Sequence, residues 1–214
     1  HGKNIAIGQA ALEDLNAGAD AFNIAIGYDC GKQMTTGVEN TLIGGLAGDA
    51  LTTGHFNVAV GYLALSAEDD HGRNVAVGKG ALQLLNAGAD GYNTAVGNLA
   101  GTAMTTGVDN TIMGGNAGDA LTTGSNNVAI GKNALSTEDA GGRNVAIGHK
   151  ALFAQDAGVD AYNIAIGYHA GQAVTTGIAN VILGALAGDA LTTGSNNVAV
   201  GFAALSAEDG HGRN

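Results

Sequence analysis

Apolar and polar residues follow one another in a five-residue block that returns at fixed intervals; Asn127-Val128-Ala129-Ile130-Gly131 is one instance, and a version of it opens every segment of the chain. Asparagine stands at Asn4, Asn23, Asn40, Asn57, Asn74, Asn93, Asn110, Asn127, Asn144, Asn163, Asn180 and Asn197, with glycine four places after each, and Asn214 begins a further copy. We number each unit from its asparagine as position 0. Position 2 is small or apolar, position 3 always apolar, and position 7 alanine except at Cys30. Strand-favouring residues ahead of an obligatory glycine predict a short β-strand and a corner. Period-2 alternation places positions 1 and 3 on one side and 0 and 2 on the other. The bulk at position 3 predicts that it faces inward, with the alanine of position 2 outward or against a close neighbour.

Successive asparagines lie 19, 17, 17 and 17 residues apart, and this series runs three times, giving superrepeats 4–73, 74–143 and 144–213 within a single repeat domain, 1–214. Self-similarity at a short fixed period signals a solenoid, whose coils bury their apolar sides only by stacking. The expected fold is therefore all-β: a parallel β-solenoid of twelve 17- or 19-residue coils, a rod of roughly 58 Å at the ~4.8 Å strand spacing. Equivalent positions then overlie one another, and the asparagine amides can bond from coil to coil as a ladder.

The second half of the coil comes in four kinds in fixed order. The 19-residue coil carries Gln9-Ala10-Ala11-Leu12-Glu13-Asp14-Leu15, with leucines at helical spacing that would suit a single helical turn. The next two carry Thr-Thr-Gly, and the fourth Ala-Leu-Ser-Ala-Glu-Asp, as at 64–69. Leucine at position 8 of the first and fourth kinds becomes glycine in the other two, so the cross-section is expected to undulate every four coils.

Composition sharpens this picture. The 37 glycines are phased with the coil and read as corners, and with 4% aromatics a thin interior of Ala, Val, Ile and Leu is expected. A net charge of −11 with only eight Lys and Arg argues against a nucleic-acid partner. The charge drifts from −7 to −2 to −3 over the three superrepeats while the skeleton repeats, so most acids read as solvated decoration. Cys30, the single cysteine, allows no internal disulfide and reads as a small buried thiol. No apolar run reaches a membrane span and no leader pattern is visible, so no membrane insertion of this segment is expected. The opening His1-Gly2-Lys3-Asn4 is in phase with His71-Gly72-Arg73-Asn74, and the expectation is an excerpt of a longer array.

Asn-Val-Ala-Ile-Gly followed by x-x-Ala resembles the Ser-Val-Ala-Ile-Gly-x-x-Ala head repeat of trimeric autotransporter adhesins (YadA-like), and Thr-Thr-Gly-x-x-Asn-x-Ala-Ile-Gly is similar to repeats of bacterial and phage tail-fibre proteins. The resemblance covers all twelve coils. It implies a left-handed parallel β-roll, a homo-oligomer such as a trimer, and a place in a cell-surface or virion fibre that binds a surface.

Candidate chemistry is sparse. Glu68, Asp69 and Asp70 form the one turn that could hold calcium with nearby carbonyls, but Asp70 becomes Ala140 and Gly210, and the alternative is a solvated turn in which Arg73, Arg143 and Arg213 pair with the acids beside them. His55, His149 and His169 have no partners of matching phase. No nucleophile elbow, phosphate loop or zinc spacing appears, so no catalytic residue, metal or cofactor is assigned. The most site-like feature is the set of threonine pairs Thr35-Thr36, Thr52-Thr53, Thr105-Thr106, Thr122-Thr123, Thr175-Thr176 and Thr192-Thr193, which could line a surface for glycan or ice, or bond the turn backbone. The expected function is a non-enzymatic structural and adhesive part of an extracellular or cell-surface fibre, self-associating by lateral and end-to-end contacts. The alternatives are a phage tail fibre binding a host receptor or surface glycan and, behind it, an ice-binding protein.

Overall fold

In the computed structural model, residues 2–207 and 209–214 are described; His1 and Glu208 lie outside them. Twelve three-residue strands form one parallel sheet in chain order: β1 (Ile5–Ile7), β2 (Ile24–Ile26), β3 (Thr41–Ile43), β4 (Val58–Val60), β5 (Val75–Val77), β6 (Thr94–Val96), β7 (Thr111–Met113), β8 (Val128–Ile130), β9 (Val145–Ile147), β10 (Ile164–Ile166), β11 (Val181–Leu183) and β12 (Val198–Val200). The register is position on position, as in Val128↔Val145, Ala129↔Ala146 and Ile130↔Ile147. The chain is thus a β-solenoid of twelve turns, as the repeat predicts, and the described residues contain no helix.

The sidedness of the strand is the reverse of the sequence expectation. Position 2 is the inward one: it is buried in every strand from β2 to β12, as at Ala25, Ala59 and Ala129, and exposed only at Ala6 of the first strand, whereas positions 1 and 3 are half-buried or exposed in all twelve. The reason is the narrowness of the coil. Its interior is filled from the far wall by Leu12, Leu65, Leu82, Leu135 and Leu152 at position 8, and the strand has room only for a methyl opposite them. Where position 8 is glycine, the volume is supplied elsewhere. Leu42 at position 2 of β3 puts methyl carbons 2.8 Å and 3.0 Å from where a Cβ would stand on Gly31 and Gly48, and Ile112 and Ile182 serve the same role in the later superrepeats.

No helical turn forms in the 19-residue coil; Leu12, Leu82 and Leu152 have φ near +50°. All thirty non-glycine residues with positive φ fall at positions −1, 6 and 8 of a coil, so left-handed backbone recurs at three fixed corners. Such residues cost on the order of 1 kcal/mol each. The conformation persists because it aims backbone N–H groups along the stack: Leu12 donates to the Cys30 carbonyl at 3.1 Å, and Leu82 to that of Ala100 at 3.0 Å. Position 4 has a different requirement. At Gly131 φ is +128°, and a Cβ would stand 2.5 Å from the Gly148 carbonyl oxygen, so only glycine allows the coils to approach.

Candidate functional site: the outward strand face and its margins

The asparagines form the inner edge of the sheet. At each of twelve steps the backbone N–H of one asparagine donates to the Oδ1 of the preceding one, at 2.8 to 3.2 Å. Several Nδ2 groups donate onward to a corner carbonyl of the same coil, as Asn127 does to Gly141 at 3.1 Å and Asn180 to Gly194 at 3.0 Å. In the 19-residue coils this corner differs by two extra residues, and the buried Asn144 Nδ2 is left without a partner.

On the other side of the strands lie positions 1 and 3. Of these 24 residues, 21 are apolar, three are threonine (Thr41, Thr94, Thr111) and none is charged, although the chain carries a net charge of −11. Two columns border this face. Position −1 reads Lys3, Phe22, Glu39, Phe56, Arg73, Tyr92, Asp109, Asn126, Arg143, Tyr162, Ala179 and Asn196 along the stack, and position 5 carries Tyr28, Tyr62, Tyr168 and Phe202. Of the 19 exposed large apolar side chains, 16 belong to the face or these margins, so exposed bulk is concentrated on one side of the rod.

Each superrepeat repeats a cation–acid–ring cluster on the first margin. Lys3 pairs with Asp20 at 2.8 Å beside Phe22, Arg73 with Asp90 at 2.7 Å beside Tyr92, and Arg143 with Asp160 at 3.0 Å beside Tyr162. The cation lies 5.0 to 5.6 Å from the ring centre, within range of a cation–π contact. The bonds from Lys3 and Arg73 hold the carboxyls of Asp20 and Asp90 below the usual range. The partner acids thus come from the next coil, and among the described residues Arg73 and Arg143 make no ion pair with the acids that precede them in sequence.

The calcium candidates are only partly brought together. Glu68 is fully buried, and its carboxylate accepts backbone N–H bonds from His71 at 3.3 Å and from Ala87 in the next coil at 3.4 Å. Asp69 and His71 approach it, with possible ligand atoms all within 4.8 Å of one another, but Asp70 turns away to accept from Thr52 and Thr53. Glu138 repeats the arrangement, bonded to the N–H groups of Gly141 and Ala157 at 2.7 and 3.3 Å. Both glutamates therefore tie the fourth coil to the first coil of the following superrepeat and are not solvated decoration. Burial raises the pKa of each carboxyl.

The threonine pairs divide in function. The first hydroxyl of every pair donates to a backbone carbonyl of the next coil: Thr35 and Thr52 at 3.2 and 3.1 Å, Thr105 and Thr122 at 3.2 and 3.0 Å, Thr175 at 3.3 Å, and Thr192 to Asp209. Of the second members, Thr36, Thr106, Thr123, Thr176 and Thr193 are exposed and Thr53 is half-buried. His149 and His169, unmatched in phase, are nonetheless neighbours, with Nδ1 and Nε2 3.2 Å apart and Tyr168 stacked on both rings. Cys30 is buried, donates to the Leu42 carbonyl at 3.3 Å, and has its thiol pKa pushed up to about 11 by burial.

Comparison with protein-family models, with curated proteins and with solved structures gives no match. No helix among the described residues is long and apolar enough to cross a membrane.

Proposed function

We propose that the chain is a structural and adhesive segment of an extracellular or cell-surface fibre, built by contacts between copies of its outward strand face. The carrying observation is the segregation on that face: 24 uncharged side chains, 21 of them apolar, in a strongly acidic chain. Exposed apolar surface of this extent is favourable to bury and marks an interaction surface. A stiff column with position-on-position hydrogen bonding suits spacing and load-bearing, and the similarity of Asn-Val-Ala-Ile-Gly-x-x-Ala to adhesin head repeats supports placement at a surface. The role is mechanical rather than catalytic. Electron imaging of the assembled protein tests it: laterally associated rods with a ~4.8 Å coil repeat and a four-coil modulation near ~19 Å are expected. Dispersed single rods at high protein concentration would overturn it.

A further inference from the structure

The margins of the apolar face carry charges in a pattern that selects one mutual arrangement of two copies. We infer that the face is occupied by a second copy of this chain running antiparallel, related by a half-turn about an axis along β6; this rests on the self-association proposed above. In that register β5 lies over β7 of the second copy, β3 over β9, and β6 over itself. Position −1 then meets position −1. Arg73 comes opposite Asp109, and Glu39 opposite Arg143, each pairing occurring twice by symmetry.

Three observations support the choice. First, Glu39 and Asp109 are exposed and make no ion pair within the chain among the described residues, whereas Lys3, Arg73 and Arg143 of the same column each have an acid beside them. A shallow open hollow of about 410 Å³ lies beside Phe22 and Glu39, where Arg143 of the second copy would arrive. Second, the alternatives lose these pairs or set like charges together. Sliding the antiparallel pair by one strand one way puts Lys79 against Lys132 at position 5, and sliding it the other way puts Arg73 over Tyr92 and Glu39 over Asn126 with no ion pair. Any rotational symmetry about the stacking axis holds each coil level with itself, which brings Arg73 towards Lys79. Third, the area suffices. The face with its margins measures roughly 50 by 15 Å, on the order of 800 Å², about one partner's share of a stable interface.

Spin labels on the 214-residue chain test the arrangement. Cysteine replaces an exposed margin residue, Asn98→Cys at β6 or Gln9→Cys at β1, and buried Cys30 stays unlabelled. Antiparallel pairing predicts a short distance, on the order of 20 Å or less, between labels at 98, and about 48 Å between labels at 9, ten coils apart. Equal distances at both sites would overturn the antiparallel register while leaving self-association standing; a monomer in sedimentation, with no dipolar coupling at either site, would overturn both. In the same assay Arg73→Glu and Asp109→Arg should each weaken dimerisation about tenfold, and the double variant should restore it. A double variant no better than the worse single would contradict the pairing.

Discussion

The two sides of one strand, three residues long, obey different rules. Ala129 faces a full interior with room for one methyl, while Val128 and Ile130, beside it in sequence, stack in open columns against their equivalents in neighbouring coils. Side-chain size is therefore set by space on the inner side and by lateral packing and contact on the outer side. Bulk alone does not tell inside from outside in a coil this thin.

The largest expected effect is at the corner that serves both sides. Gly131→Ala places a methyl against the Gly148 carbonyl at a φ that L-residues avoid, and should destabilise by about 3 kcal/mol or more in denaturant unfolding. Next comes Asn127→Ala, which strips the acceptor from the buried Asn144 N–H and the donor from the Gly141 carbonyl, for about 2–3 kcal/mol. The contrast between the sides is sharpest in one pair of variants: Ala129→Leu should overpack the interior and cost about 1–3 kcal/mol, whereas Val128→Leu should stay within about 0.5 kcal/mol. Equal costs for the two would break the comparison.

A smaller effect is expected with pH. Burial raises the folded-state pKa of Glu68 and Glu138 above the ordinary 4.5, so the stability they contribute is full below that value and is lost as pH rises through the raised one. The unfolding midpoint should fall as pH rises above about 4.5, and replacing both by glutamine should flatten that slope. The exposed Asp20 and Asp90, with lowered values, act in the opposite sense and only below about 3.8.

Coil number, register and the parallel sheet are legible from the sequence because asparagine and glycine recur at fixed offsets and stacking is the only way such coils bury a core. The sidedness is not, since size stood in for inwardness. Arg73 and Asp90 lie 17 residues apart and become neighbours only through stacking, so reading adjacent acids picks the wrong partner. Counting in coil phase could have found them. His149 and His169 differ by one position in phase and meet because the 19-residue coil lies between, where a strict column search fails. Glu68 and Glu138 look like surface acids and are buried because the backbone N–H groups of the next coil's corner need an acceptor.

The claim that copies meet through the outward side of the strands is tested most directly by sedimentation of the chain carrying Val128→Lys and Val145→Lys, two half-buried outward positions in the middle of the stack. The wild type should associate with rising concentration, and the variant should remain monomeric with an unchanged circular dichroism spectrum. A variant that assembles as readily as the wild type would place the contact elsewhere on the rod.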